Sequence, residues 1–289
     1  MMIGCSDSKN DTIPSIDALS TGEGFYFYNY QRAGFSKTMR IFYYIPENKT
    51  VNTPILITLH GTERNASDYR NALIEEATIK NFIVIAPEFS ETNFPTGDGY
   101  NLGNVFVDGD NPSLNSLNPI SEWTFSIIEP LFSDFKSKIN NQVQKYQLFG
   151  HSAGAQFAHR LLLFVPNANV EKVVFSAAGW YTFPNEVVFP YGLGNSTIEN
   201  NSLSTYFERQ ILVQVGENDN NPNAAGLRHN EFADAQGLHR LERATNFYNF
   251  CEQRAENLNH NFNWEFQIIE NTGHDFVKAS ENAVNFIFN

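Results

Sequence analysis

The sequence predicts an α/β fold with a doubly wound, mostly parallel sheet, and three observations support this prediction. From residue 54 onwards, short apolar segments alternate with segments of helical periodicity, an order that builds parallel strands joined by crossover helices. Several apolar segments are continuously hydrophobic, as strands covered on both faces are. Several also end in Gly, Ser, Asp or His, which is typical of a site at the carboxyl edge of such a sheet.

The N-terminal part differs because two strands are predicted in succession. Residues 24–30 and 38–46 are rich in aromatic and β-branched side chains, and Arg32-Ala33-Gly34 lies in the turn region between them. This pattern predicts an antiparallel hairpin at one edge of the sheet.

Beyond the hairpin, strands and helices are predicted to alternate to the C-terminus. Their order is strand 54–60, helix 68–80, strand 82–87, helix 123–141, strand 147–149, helix 156–162, strand 172–178, strand 210–216, helix 239–257, strand 264–269 and helix 276–288. The first of these helices is expected to turn four side chains towards the core: Leu73, Ile74, Ala77 and Ile79. Residues 88–121 and 183–205 lack regular periodicity and are expected to be two irregular insertions over the active site.

Composition and charge exclude several classes of protein. Of the 289 residues, 42% are hydrophobic and 18% charged, which is enough to bury a large core. Asp and Glu outnumber Lys and Arg by 32 to 19, and the net charge of −13 argues against nucleic acid and anionic lipid as partners. No apolar run approaches the roughly 20 residues that span a bilayer. We therefore expect a single α/β domain over residues 21–289, without a membrane span.

The two cysteines, Cys5 and Cys251, are too few for a disulfide framework. Cys251 falls in a helical segment and is expected to be a small buried residue. Cys5 follows a small residue, Gly4, as at the end of a bacterial lipoprotein signal, but the basic and apolar regions of such a signal are missing. Two interpretations of residues 1–20 stay open. This polar leader is either the remnant of a lipoprotein signal and tether, with a lipid anchor at Cys5 and a periplasmic or extracellular location, or an accidental match.

The most informative motif is Gly150-His151-Ser152-Ala153-Gly154, between a predicted strand and a predicted helix. G-x-S-x-G alone often arises by chance, but in this context it is the pattern of a nucleophile elbow. Glycines are needed where a Cβ would collide with backbone in so tight a turn. Ser152 would lie at a helix N-terminus, whose free amides and dipole favour negative charge. We therefore predict Ser152 as a nucleophile.

Two further residues follow strands in the order that an α/β-hydrolase triad requires. Asp219 comes after strand 210–216, and His274 follows the last strand. His274 would take the Ser152 proton and return it to the leaving group, while Asp219 would orient the imidazole and stabilise the imidazolium. Glu217 remains an alternative acid, although Asp219 fits the pattern better.

The oxyanion of a tetrahedral intermediate needs fixed hydrogen-bond donors. The backbone N–H groups of Ala153 and of Thr62, in the turn after the first buried strand, are the candidates. His60 is expected to be a structural hydrogen-bonding residue in that turn, and His151 is expected to point away from the nucleophile. Residues 108–111 resemble a calcium loop but lack its later Glu, and neither a Cys/His cluster nor a phosphate-binding glycine loop occurs. No metal and no cofactor is therefore predicted.

Seven segments carry a family resemblance: residues 40–46, 59–62, 85–89, 100–103, 150–154, 178–181 and 273–275. With them the chain resembles the α/β-hydrolase group of poly(3-hydroxybutyrate) depolymerase-like or LpqC-like esterases, close to the feruloyl and acetyl-xylan esterases. The resemblance extends from about Thr38 to Phe288. It implies an α/β-hydrolase fold and a serine esterase that cleaves small-molecule or oligomeric carboxylic esters through an acyl-enzyme.

By this resemblance, the two irregular insertions would wall the substrate pocket, with Tyr100, Trp180 and Tyr181 as substrate-binding residues. Trp123 is a weaker candidate, because ordinary packing explains it equally well. Two alternatives stay open: a peptidase or acyltransferase on the same triad, and a non-catalytic binding member of the fold. The natural ester and the oligomeric state are not fixed by the sequence.

Overall fold

The computed structural model describes residues 19–198 and 202–289 and contains one eight-stranded sheet in that part of the chain. Its strands are β1 Gly22–Arg32, β2 Phe35–Ile45, β3 Ile55–Leu59, β4 Ile83–Pro87, β5 Tyr146–His151, β6 Val170–Ser176, β7 Gln210–Gly216 and β8 Trp264–Ile269. Their spatial order is β1-β2-β4-β3-β5-β6-β7-β8. β1, β2 and β4 pair antiparallel, and the remaining pairs are parallel. The predicted mostly parallel sheet with N-terminal antiparallel strands is confirmed.

Helices cover both faces of this sheet. They are α1 Ala66–Asn71, α2 Ile74–Lys80, α3 Thr96–Gly99, α4 Ile128–Ile139, α5 Ala153–Phe164, α6 Leu203–Glu208, α7 Glu231–Asp234, α8 Arg240–Asn257 and α9 Phe276–Phe288. Short 3-10 turns occur at Leu114–Ser116, Ile120–Glu122 and Thr124–Ile127. All three turns lie in the irregular stretch between β4 and α4, where α3 is the other regular element of the described residues.

The sheet divides the core into two layers, because successive side chains of a strand point to opposite faces. In β3, Leu56 packs with the cluster that contains side chains of α1, α2 and α9. Its neighbours Ile55 and Ile57 pack with the larger cluster on the other face, which contains side chains of α4, α5 and α8. The central strands are therefore apolar at every position, and their carboxyl ends form the edge at which the loops meet.

The single helix predicted over residues 68–80 is wrong, since two short helices, α1 and α2, take its place. The N–H of Leu73 bonds to the carbonyl of Arg70, three residues back, and this tighter turn ends α1. In α2, Ala77 is buried together with Leu73, whereas Ile79 is 69% exposed. Ile79 lies about 200° around the helix from Ala77 and so faces away from the sheet.

Of the predicted leader, residues 1–20, the part that contains Cys5 (residues 1–18) lies outside the described residues, so the lipoprotein interpretation stays a prediction. Cys251 is fully buried in α8, as expected. Of the second irregular stretch, residues 199–201 also lie outside the described part. Within the described residues, no helix combines the length and the apolar character needed to cross a membrane.

Candidate active site

Ser152 occupies the turn between β5 and α5, with backbone angles φ 56° and ψ −118°. Such a conformation is costly for a residue with a Cβ and persists only where its surroundings enforce it. The flanking glycines provide that enforcement. A Cβ on Gly150 would collide with the carbonyl oxygen of Gly154, and a Cβ on Gly154 would collide with that of Leu59. The elbow therefore requires both glycines, and it holds Ser152 at the carboxyl edge of the central strand.

Asp219 and His274 meet at the same edge, after β7 and β8. His274 Nδ1 donates to Asp219 Oδ2 at 2.7 Å, and the carboxylate is only 4% exposed. Arg240 Nη1 donates to the other oxygen, Oδ1, at 3.3 Å. Because Asp219 engages Nδ1, the remaining ring nitrogen, Nε2, is left for another partner. The alternative acid, Glu217, instead accepts a hydrogen bond from the backbone N–H of Asn271.

Ser152 and His274 line one cavity of about 420 Å³. Within the described residues, Ser152 Oγ makes no hydrogen bond to His274 Nε2. In ligand-free active sites such hydrogen bonds are often long and shorten when the substrate binds. The predicted nucleophile and base thus lie on the wall of one cavity, and the predicted acid is buried against the base. The acid–base hydrogen bond is formed, whereas the nucleophile–base hydrogen bond is not.

The two predicted oxyanion residues, Thr62 and Ala153, line the same cavity. Ala153 is the first residue of α5, where backbone N–H groups lack a partner within the helix. The turn that carries Thr62 passes close to the nucleophile, since a Cβ on Gly61 would lie 3.6 Å from Ser152 Cβ. Both N–H groups therefore belong to segments that border Ser152.

His60 supports the turn that carries Thr62. Its Nδ1 donates to the Gly61 carbonyl at 2.9 Å, and its Nε2 accepts from the N–H of Phe89 at 3.0 Å. Burial lowers the pKa of His60 to about 3, so the ring is neutral and keeps one donor and one acceptor. The Tyr100 hydroxyl donates to the His60 carbonyl at 2.7 Å. The structural role expected for His60 is confirmed.

Two of the three predicted substrate-binding residues, Tyr100 and Trp180, line the cavity. The third does not: Tyr181 is fully buried and stacks on Phe247, with ring centroids 4.2 Å apart. Neighbouring side chains of an extended segment point to opposite sides, so the segment after β6 directs Trp180 to the cavity and Tyr181 into the core. Trp123 also packs in the core, against Phe164.

Sequence reasoning missed the arginines of the cavity wall. Each is paired with an acidic side chain: Arg64 with Glu91 at 3.0 Å, Arg228 with Asp110 at 2.6 Å and Arg240 with Asp219 at 3.3 Å. Two guanidinium groups contact the Trp180 ring: that of Arg228, 4.7 Å from the ring centroid, and that of the fully buried Arg160, at 4.2 Å. These residues come from separate loops, and no local motif marks them.

The sequence predicts that His151 points away from Ser152. In the structure its ring packs against His274, the candidate base. Its ring centroid lies 4.5 Å from that of His274, and the side chain is buried. Burial lowers the pKa of His151 well below its usual value, and the nearby His274 and Arg240 lower it further. The His151 ring is therefore neutral. The only local signal for this contact was the position of His151 within the elbow motif.

Comparisons with known proteins identify similar proteins over most of the chain. The chlorophyllase family model matches residues 29–178. Poly(aspartic acid) hydrolase-1 from Sphingomonas sp. KT-1 is 33% identical, with a TM-score of 0.87 over 94% of this chain and 100% of that chain. LpqC, a poly(3-hydroxybutyrate) depolymerase from Bordetella parapertussis, is 27% identical, with a TM-score of 0.86 over 93% and 90% of the two chains. An S-formylglutathione hydrolase from Agrobacterium tumefaciens, at 14% identity and a TM-score of 0.55 over 93% and 95%, shares the fold alone. A search of curated proteins gives no match.

Proposed function

Because the chain belongs to the α/β-hydrolases of the chlorophyllase family, in the poly(3-hydroxybutyrate) depolymerase-like group, we propose that it is a serine hydrolase of carboxylic esters that acts through an acyl-enzyme. One observation carries the proposal. His274, hydrogen-bonded to the buried Asp219 at 2.7 Å, borders the same cavity as Ser152 at its strained elbow. These are the residue types that nucleophilic catalysis by a hydroxyl requires, with the acid–base hydrogen bond among them already formed.

In the proposed first half-reaction, Ser152 Oγ attacks the ester carbonyl carbon while His274 Nε2 takes the hydroxyl proton. Asp219 keeps the imidazole in the tautomer with Nδ1 protonated and stabilises the imidazolium. The N–H groups of Thr62 and Ala153 donate to the oxyanion of the tetrahedral intermediate, and the positive end of the α5 dipole adds to this stabilisation.

Collapse of the tetrahedral intermediate breaks the bond to the leaving alcohol, which receives its proton from His274 Nε2. The acyl group stays on Ser152 Oγ. Water then attacks this acyl-enzyme with His274 as the base, and a second collapse releases the carboxylic acid and restores the serine hydroxyl. The cavity volume of about 420 Å³ suits a small or oligomeric substrate, which Tyr100 and Trp180 would contact from the cavity wall.

A second candidate function is hydrolysis of amide bonds in an acidic substrate, and the arginines of the cavity wall favour it. Guanidinium groups bind carboxylates through paired hydrogen bonds, and a substrate carboxylate would compete with Glu91 for Arg64 and with Asp110 for Arg228. The relative that is 33% identical is named as a hydrolase of poly(aspartic acid). The same triad would serve, since serine acyl transfer accepts esters and amides alike.

The proposal is tested with 4-nitrophenyl esters from acetate to dodecanoate and a feruloyl ester, comparing wild type with Ser152→Ala. Wild type is expected to turn over at least one ester, and the variant to lose roughly 10³-fold or more of kcat. Ser133→Ala, on the exposed face of α4, is the matched control and should behave as wild type. Equal activity of Ser152→Ala and wild type would refute the assigned nucleophile.

The two candidate functions separate on matched substrates. The 4-nitrophenyl esters of butyric acid and of succinic acid have the same chain length, but only the succinic monoester carries a carboxylate. A preference for succinate, together with release of amino groups from poly(aspartic acid), would support the second function. A preference for butyrate with no action on poly(aspartic acid) would exclude the second function and support the ester hydrolase.

A further inference from the structure

A buried hydrogen bond lies behind the candidate triad. The Tyr69 hydroxyl is 3.1 Å from His151 Nδ1, and each side chain is only 3% exposed. Tyr69 comes from α1, whereas His151 is the last residue of β5, directly before Ser152. A neutral imidazole accepts on one nitrogen, and the Tyr69 hydroxyl has no other acceptor among the described residues, so we assign the hydroxyl as the donor to Nδ1. Neither residue lines the cavity as a substrate contact, so a role for the pair must act through its neighbours.

The first neighbour is His274. Asp219 holds that ring through Nδ1 only, and a single hydrogen bond leaves the imidazole free to tilt about it. The His151 ring packs against His274, with centroids 4.5 Å apart and planes at 38°, and limits that tilt on one side. Because burial keeps His151 neutral, it supports His274 without placing a second positive charge beside the imidazolium.

The second neighbour is the turn that carries Thr62. A Cβ on Gly61 would lie 3.1 Å from the Tyr69 hydroxyl oxygen, so this oxygen borders the turn as well as His151. Burial raises the pKa of Tyr69, and a hydrogen bond from the Gly61 backbone opposes that rise. The hydroxyl oxygen therefore lies between the Gly61 turn and His151 Nδ1 and is next to both. Phe276 stacks on the Tyr69 ring at 4.4 Å with planes at 14°, which fixes the ring in place.

We infer that Tyr69 and His151 form a positioning pair, in which one buried hydroxyl ties the turn that carries Thr62 to the ring that supports His274. The inference rests on the proposed function, because the pair positions an oxyanion donor and a base and performs no chemistry itself. Both targets act in the transition state, so the pair should govern kcat and leave KM nearly unchanged.

The direct test is Tyr69→Phe, which removes one oxygen and keeps the stacked ring. We expect kcat to fall roughly 10- to 100-fold while KM changes less than about threefold. The matched control is Tyr206→Phe, a fully buried tyrosine that packs against Trp264 and whose hydroxyl has no partner among the described residues. It should keep the wild-type kcat.

Titration of active sites with a fluorophosphonate separates positioning from a merely structural role. A structural role would lower Tm and the fraction of reactive protein but would leave kcat per titrated site unchanged, and that result would overturn the inference. His151→Asn keeps an acceptor for the Tyr69 hydroxyl and should retain more activity than His151→Leu. The double variant Tyr69→Phe/His151→Leu should lose little more than either single variant, and additive losses would also contradict the pair.

If the wild type hydrolyses none of the esters and amides, the proposed function is refuted. The positioning pair can still be tested then, by measurements that do not depend on activity. Amide hydrogen exchange at Thr62 and the imidazole nitrogen resonances of His274 report on the two supported elements directly. Tyr69→Phe should speed the exchange and shift the resonances. If both stay at their wild-type values, the pair does not exist as inferred.

Discussion

At the scale of single residues, Gly154 decides how Ser152 is held. A Cβ at this position would collide with the backbone of Leu59 in β3, so α5 and β3 approach closely only because the side chain is absent. Gly273, directly before His274, is different. No atom of the described residues lies within 4 Å of its Cβ position, and its backbone is not in the left-handed region.

These two glycines give a matched prediction. Gly154→Ala must push backbone apart, and we expect a loss of about 1–3 kcal/mol in the free energy of unfolding together with severe loss of turnover. Gly273→Ala should stay within about 0.5 kcal/mol of wild type. Urea unfolding of both variants is the measurement. Equal stability of the two would show that the elbow tolerates a wider separation between α5 and β3.

The sequence reveals the residues of this site unevenly. Ser152 has a local motif, and Asp219 and His274 each follow a strand, so the strand order alone brings the last two together. The ion pair of Arg228 with Asp110 joins positions 118 residues apart, and nothing in either neighbourhood predicts it. For the same reason Tyr181 could not be distinguished from Trp180: which of two adjacent side chains faces a cavity depends on the path of the loop.

At the scale of elements, α9 begins two residues after His274, at Phe276, and fixes the segment that carries His274. The Asp275 side chain accepts from the N–H groups of Val277 at 2.9 Å and Lys278 at 3.3 Å and so caps the helix. Its negative charge also interacts favourably with the positive end of the helix dipole.

We expect Asp275→Ala to lower the free energy of unfolding by about 1 kcal/mol, because two N–H groups lose their acceptor. kcat should fall as well, since the chain next to His274 is less restrained. Asp275→Asn keeps the acceptor oxygen and should recover most of both losses. Thermal unfolding and turnover of the two variants provide the check, and an Asn variant as weak as the Ala variant would exclude capping as the cause.

The elements themselves were predictable where local pattern and tertiary contacts agree. Continuous apolar runs predicted β3 and β4, since both faces of these strands are covered. The periodicity of residues 68–80 did not reveal the break between α1 and α2. Arg70 Nη1 donates to the carbonyl of Tyr43 in β2 at 2.6 Å, and this long-range contact holds the end of α1 against the sheet.

At the scale of the whole molecule, three histidines are buried in neutral form: His60, His151 and His159. Burial is the largest cause of the lowered pKa of each, and the Arg160 guanidinium lowers that of His159 further. His159 shows why the ring stays neutral. Its Nδ1 donates to the Ala155 carbonyl at 2.9 Å and its Nε2 accepts from the N–H of Thr182 at 3.0 Å, so a second proton would destroy the latter bond.

These histidines make the fold sensitive to acid. In the unfolded chain each has a pKa of about 6.5, so below that pH the unfolded state binds protons that the folded state does not. Their stabilising contribution is complete above pH 6.5 and is lost as the pH falls towards the folded-state value, which is about 3 for His60. Each should contribute a slope of about 1.4 kcal/mol per pH unit within this window.

His159→Gln isolates the contribution of His159 to the pH dependence of stability, because the glutamine side chain has an acceptor for the Thr182 N–H and no titrating ring. The variant can be less stable at pH 7, where packing dominates, but its free energy of unfolding should fall less steeply between pH 6 and pH 5. Urea unfolding of both proteins at each pH gives the two slopes, and the carboxylate contributions common to both cancel in their difference. Parallel slopes would mean that His159 takes up a proton in the folded state, and the buried neutral ring would then be the wrong description.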